Sequence, residues 1–414
     1  MVPRVEAWRP LLSGESKERA EAAVIEVAGA LAGADVILPA SLGSGGPGLA
    51  ILFAYLARAR PGEGHEERAG IFLDAAIDAV AGAHVDASLY AGFTGVAWAT
   101  EHILGESPDD DPNEAIDEAL IALLEQSPWR DETDLISGLV GLAVHALERL
   151  PRPSGRRCLE LILDRLDETA ERRDGRATWR TPPELLPEHD RRQHPDGYYN
   201  VGVAHGVPGL VAVLGPMAAA EIGGGRARKL LGEAAAWVLD QRLDAADGAS
   251  LFPYFVGPGI SRRPGRFAWC YGDPGVAAAL LGAARAVGDP ELEGAAMAVA
   301  RRAAREPATR PDVMDAGLCH GAAGVAHLFN RIHQATGDEA CAAAARRWFE
   351  RALEMRVPGE GLGGYLSHAG ADGSWRIDPG LCTGAAGTAL ALLAGTSAIE
   401  PAWDRVLLAS SVRP

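Results

Sequence analysis

The sequence predicts an all-helical fold: one toroidal domain over residues 1–414, with seven buried helices inside about seven outer ones. Three observations carry this. A Gly-x-x-Gly pair followed by a small apolar run occurs seven times. Each run is apolar on every side, as expected of a helix surrounded by protein. Amphipathic segments separate the runs, so buried and half-buried helices alternate along the chain.

The pairs are Gly45/Gly48, Gly92/Gly95, Gly138/Gly141, Gly206/Gly209, Gly272/Gly275, Gly321/Gly324 and Gly384/Gly387, their first members 46 to 68 residues apart. Each interval has room for two helices and their connections, and self-similarity at this period marks a repeat architecture. The runs include Leu49-Ala50-Ile51-Leu52-Phe53 and Val276-Ala277-Ala278-Ala279-Leu280-Leu281. In the intervals, Leu73, Ala76, Ile77 and Val80 fall at i, i+3, i+4 and i+7, as do Ile116, Ala119, Leu120 and Leu123. Leu292, Ala295, Ala296 and Val299 repeat the pattern. Glycine at each helix start is expected to relieve crowding where seven helices converge and to permit tight entry turns. Three polar inserts, Glu168 to Asn200, Leu243 to Phe267 and Pro358 to Pro379, read as loops or short hairpins. In the third, Gly364 to His368 and Gly373 to Ile377 suggest a small β-hairpin.

Composition narrows the function. With 48% hydrophobic residues the chain can bury a large core, and 50 Gly with 27 Pro lack any short period, which excludes collagen. A net charge of −17 gives no support for binding phosphate backbones or anionic membranes. Five cysteines (Cys158, Cys270, Cys319, Cys341 and Cys382) do not make a disulfide framework in a chain of this size. Together with an N-terminus lacking a signal-like apolar stretch, they lead to the expectation of a cytoplasmic protein. Val201 to Ala220 is long and apolar, but its His205, Pro208, Pro216 and four glycines favour a core helix with its preceding loop.

Cysteine and histidine in repeat register point to metal chemistry. Cys270 and Cys319 each lie two residues before a motif glycine, in Trp269-Cys270-Tyr271-Gly272 and Leu318-Cys319-His320-Gly321, and His320 adds a nitrogen donor. Two thiolates, one imidazole and an open position suit catalytic zinc. Buried thiols without a metal are the alternative. His205 shares the register of His320 and is expected to serve as a fourth ligand or a proton-transfer group. Asp134, four residues before Gly138, could orient His205, protonate an intermediate or cap a helix. Arg266 and Tyr271 flank Cys270; spacing leaves open whether they act or merely form the rim and packing. Gly43 to Gly48 satisfies G-x-G-x-x-G, but an all-helical fold provides no preceding strand for a dinucleotide. Asp109-Asp110-Asp111 reads as a solvated turn, and His327 and His333 as packing or surface residues.

The series Ala204-His205-Gly206, Trp269-Cys270-Tyr271-Gly272 and Cys319-His320-Gly321, spread over seven glycine motifs, resembles the lanthionine synthetase C-like family. The resemblance spans essentially the whole chain. It implies an α,α-toroid and a lanthipeptide cyclase that adds peptide cysteine thiols to dehydroalanine or dehydrobutyrine, forming thioether rings. It also implies Zn2+ on Cys270, Cys319 and His320, an acid/base role for His205, and active-site roles for Asp134, Arg266 and Tyr271. The implied substrate is a dehydrated precursor peptide, with a dehydratase and an exporter as possible complex partners. Two departures are visible. Cys382 shares the register of the cysteine ligands, which raises a closed, structural site, and Phe267 stands where relatives often carry a polar residue. Addition of glutathione or another thiol to dehydrated residues, and a non-catalytic peptide-binding scaffold, are the competing functions. A toroidal glycosidase or terpenoid cyclase is disfavoured because no carboxylate pair recurs in register.

Overall fold

The structure is a computed structural model, and it describes residues 7–33, 38–82, 85–105, 111–244, 249–369 and 373–410. In chain order the helices are α1 (Gly14–Ala32), α2 (Gly46–Ala59), α3 (His65–Ala81), α4 (Phe93–Leu104) and α5 (Glu114–Leu124). Then come α6 (Leu139–Glu148), α7 (Pro153–Thr169), the short α8 (Glu188–Gln193), α9 (Val207–Ala219) and α10 (Arg226–Asp240). The last five are α11 (Asp273–Val287), α12 (Pro290–Ala303), α13 (Ala322–Thr336), α14 (Glu339–Glu354) and α15 (Ala385–Thr396). Each of the seven glycine pairs opens a buried helix: α2, α4, α6, α9, α11, α13 and α15. The apolar segment at Val201 to Ala220 is a turn followed by α9, and no described helix is long and apolar enough to cross a membrane.

The first glycine of every pair is the N-cap of its helix. It closes a seven-residue turn whose fourth residue (Leu42, Leu89, Leu135, Val203, Trp269, Leu318 or Leu381) is buried. Of the two reasons expected for glycine, the tight entry turn is borne out, and it acts through space more than through dihedral freedom. Only Gly272 has a positive φ, 86°. What excludes a side chain is the turn's own backbone: a Cβ on Gly45 would lie 1.8 Å from the carbonyl oxygen of Pro39, six residues earlier. The second glycine obeys the same constraint, since a Cβ on Gly324 would lie 1.9 Å from the Leu318 carbonyl. At four turns the first residue also caps its own loop, Asp86, Asn200, Asp315 and Asp378 each accepting the N–H two residues on.

The chain divides into two compact units, residues 1–84 with 300–403, and residues 85–299 with 404–414. In the first, α15 packs against both α13 and α2, while α1, α3 and α14 cover them. Its turns are joined through the backbone, Cys319 N donating to Cys382 O (2.7 Å) and Cys382 N to Gly43 O (3.0 Å). In the second, α4, α6, α9 and α11 pack in succession against α5, α7 and α10. Its turns are linked likewise, by Leu135 N to Ala204 O (3.1 Å) and Ala204 N to Cys270 O (3.4 Å).

The inserts carry the strands. The hairpin of β1 (Glu171–Arg173) and β2 (Arg176–Thr178) is followed by an antiparallel sheet of β3 (Arg180–Thr181), β4 (Tyr198–Asn200) and β5 (Phe255–Val256). That sheet joins the first two inserts, which the sequence reading kept apart; Tyr198 stacks on Phe255 with ring centroids 4.6 Å apart. The expected hairpin in the third insert forms from β6 (Ser367–His368) and β7 (Trp375–Arg376).

A charged knot sits inside the second unit. Arg149, at the end of α6, is fully buried and reaches Glu101 of α4, Asp111, and Asp117 of α5. Asp111 is therefore an ion-pair partner and not a solvated turn residue; Asp109 and Asp110 lie outside the described residues. Asp117 also meets His145 Nε2 at 3.0 Å and Ser154 Oγ at 2.6 Å. Burial would raise the Asp117 pKa, but hydrogen bonds from His145 and Arg149 prevail and lower it to about 2.

Two outcomes follow from this packing. Gly324→Ala lowers unfolding free energy in urea by about 3 kcal/mol, whereas Gly294→Ala, on the open face of α12, raises it by ~0.5–1 kcal/mol. The depressed Asp117 carboxylate contributes about 2 kcal/mol that is complete above its unfolded pKa near 4 and disappears as pH falls through about 2. Urea midpoints measured between pH 5 and 2 should show that loss reduced in Asp117→Asn, which is itself less stable at pH 6.

Candidate metal centre and flanking groups

The second unit supplies three consecutive site turns. Turn 266–272 ends in Cys270-Tyr271 at the mouth of α11, with Cys270 buried and Tyr271 half-buried. Turn 200–206 ends in His205, and turn 132–138 holds Asp134. His205 Nδ1 lies 2.6 Å from Asp134 Oδ2, an aspartate that is almost fully buried. The other carboxylate oxygen of Asp134 accepts Ser137 N at 2.8 Å, a contact inside the turn; the N-cap of α6 is Gly138, so Asp134 is not the helix cap that the sequence also allowed. Partial desolvation favours neutral His205, but the hydrogen bond and charge of Asp134, helped by Cys270 and Glu132, hold its pKa above the ordinary value.

Tyr271 is positioned by a residue the sequence reading passed over. Asn200 Nδ2 donates to its phenol oxygen at 2.9 Å, while Asn200 Oδ1 holds Gly202 N at 2.9 Å. Gly202 makes room for the ring, since a Cβ there would lie 2.6 Å from it. Burial pushes the phenol pKa up, so Tyr271 keeps its proton. Arg266, half-buried, heads the same turn. Glu132 was also missed: burial and then the charge of Asp134 push its carboxyl up to about 7. The available signal was positional, since Glu132 and Asn200 both stand six residues before a motif glycine.

In the first unit, turn 315–321 presents half-buried Cys319 and His320 at the start of α13. Asp315 braces it, with Oδ1 accepting Gly317 N (3.0 Å) and Oδ2 accepting His368 N (2.9 Å) from the β6–β7 hairpin. Turn 378–384 carries Cys382, also half-buried, whose carbonyl accepts Cys319 N. Cys270, Cys319 and His320 make up a donor set that could hold a metal ion, and Cys382 is not part of it among the described residues. Two sulfurs and one imidazole nitrogen suit zinc, and three protein donors leave a tetrahedral ion one exchangeable position. Cys270 and Cys319 each precede a helix N-terminus, whose partial positive charge favours a thiolate. The packing reading of the remaining histidines holds: His327 is buried against Trp403 and half-buried His333 contacts Asp338.

Residues 36–408 match the family model described as lanthionine synthetase C-like protein. Among solved structures the chain is similar to nisin cyclase, with a TM-score of 0.73, 17% sequence identity, and coverage of 95% of this chain and 97% of that one. The likeness gives this chain the α,α-toroid fold. No curated protein sequence matches it. The Asp134–His205 contact has a direct readout: Asp134→Asn should lower the His205 pKa, followed by imidazole C–H shifts across a pH titration. An unchanged titration would show that Asp134 does not govern the histidine.

Proposed function

Because the chain belongs to the lanthionine synthetase C-like family, we propose that it is a zinc-dependent lanthipeptide cyclase, with residues 1–414 acting as one α,α-toroid domain. The observation carrying this reading is the 2.6 Å His205–Asp134 pair, two turns linked in series to the one bearing Cys270. It joins a proton-handling group to a thiolate-rich donor set, the two chemical needs of thiol addition to an activated alkene.

In this proposal Cys270, Cys319 and His320 hold the ion. Zinc, when bound, supplies Lewis acidity that lowers the pKa of a substrate cysteine, ordinarily near 8.5, and fixes its sulfur. The rest falls to the protein. The sulfur adds to the β-carbon of dehydroalanine or dehydrobutyrine in the same peptide, and the alkene electron pair moves to form an enolate. His205, whose pKa Asp134 raises, gives its Nε2 proton to the α-carbon, completing the addition; the proton lost by the substrate thiol returns to the imidazole. Tyr271, kept protonated by burial and oriented by Asn200, donates toward the developing oxyanion. Arg266 adds positive charge at the same turn. The substrate is a dehydrated precursor peptide, and the chain acts in the cytoplasm beside a dehydratase and an exporter.

Cyclisation is read by thiol alkylation and mass spectrometry on a dehydrated, cysteine-containing peptide. The purified protein should contain one zinc, and Cys270→Ala should lose both zinc and ring formation while keeping its helical circular dichroism. His205→Asn should retain zinc and lose roughly 10²–10⁴-fold in rate. Adducts formed only with added glutathione would assign the intermolecular reaction instead, and a Cys270→Ala protein that unfolds would assign the ion a structural role.

A further inference from the structure

The geometry points to a docking groove for the substrate peptide between the β6–β7 hairpin and the C-terminal end of α14, fitted to an apolar side chain beside a basic one. This rests on the peptide-substrate reading above. The groove is a cavity of about 480 Å³ within the first unit. Sites of roughly 300–1,000 Å³ bury ligands of drug size, so it accepts a few extended residues and not a folded domain.

Its walls are unusual for a protein with so acidic a surface. Met314, Val357 and Trp375 line the groove and remain 48%, 47% and 52% exposed, and Ile377, two residues after Trp375, is 64% exposed. Large apolar side chains gathered at one concave place mark a binding surface more than scattered ones do. Glu360 and Glu354 also line the groove, the latter ending α14, whose C-terminus adds partial negative charge. Arg351 offsets Glu354 at 3.4 Å, leaving Glu360 in excess. A cationic side chain complements that charge.

Continuity with the proposed site selects the occupant. Asp315 lies in the groove lining and is also the first residue of the turn that presents Cys319 and His320. Through its two carboxylate oxygens it ties the hairpin that carries Trp375 to that turn. A peptide held against Trp375 is therefore anchored a few residues from the metal donors of the same unit, which fits the chain being cyclised better than a separate regulator.

The test separates docking from chemistry. A Gly-Leu-Ile-Arg-Gly amide carrying fluorescein on its N-terminus, and its analogue with neutral citrulline in place of arginine, are titrated against full-length protein by anisotropy. The arginine peptide should bind wild type and Cys270→Ala alike, and Trp375→Ala at least tenfold more weakly. Val357→Glu should repeat that loss. Glu360→Gln should weaken the arginine peptide about three- to fivefold and leave the citrulline peptide unchanged. Matching thermal midpoints establish that the variants are folded. Absence of binding to wild type, or equal binding by Trp375→Ala, overturns the proposal. So does a wild-type dimer in sedimentation that Trp375→Ala abolishes, which gives the groove to a second copy. Peptide binding that depends on Trp375 with no thioether formed by the wild type would keep the groove and reject the cyclase reading.

Discussion

The close approach of the motif glycines to the backbone of their own entry turns, at most of them to a carbonyl six residues behind, is the constraint on which the rest of the molecule depends. It folds seven residues into a loop tight enough for the last of them to cap a helix. The fourth side chain is buried, which anchors the loop to the core. The fifth and sixth residues then stand at the rim of the helix N-terminus, where chemistry can be placed without disturbing the packing below. Within each unit the fifth residues are also stitched together through their backbones, Cys319 to Cys382 in one and Ala204 to Cys270 in the other. Loop positions five and six thus hold every residue of the candidate donor set, Cys270, Cys319 and His320, and also Tyr271 and the histidine at 205.

This explains how much the sequence disclosed. Helix number and order were legible because a buried helix has to be apolar on every side and an outer one on a single side, and both periodicities survive in one sequence. The donor set was legible because repeat register turns distant positions into equivalent ones; Cys270 and Cys319 are 49 residues apart yet occupy the same place in their loops. Of the two purposes expected of the glycines, the tight entry turn is the one the structure bears out. Sequence can show that side chains are forbidden, but the forbidding atom is a main-chain oxygen, and main-chain atoms leave no letter behind.

Other features escaped for a related reason. Asn200 and Glu132 hold the first loop position, where Asp86, Asp315 and Asp378 make an ordinary turn contact, so they look like routine turn formers. Only in three dimensions does Asn200 reach Tyr271, or Glu132 add its charge near His205. Asp111 looked like part of a hydrated acidic run because Arg149, 38 residues away, gives no local sign of being buried. The β4–β5 pairing likewise joins strands more than 50 residues apart in sequence, and no local pattern announces it. What was lost in each case is a long-range polar partner, the kind of contact that neither hydropathy nor spacing encodes.

Gly272 differs from its six counterparts in one respect: its φ is 86°, while theirs are all negative. At this position the other six entry loops share an extended backbone that any residue can adopt. The loop that delivers Cys270 and Tyr271 takes its own path, so it cannot be copied from a sibling. A consensus design that averaged the seven entry loops would keep the helices they cap and lose the conformation of the loop that carries Cys270. The feature that makes the architecture modular stops one residue short of the chemistry.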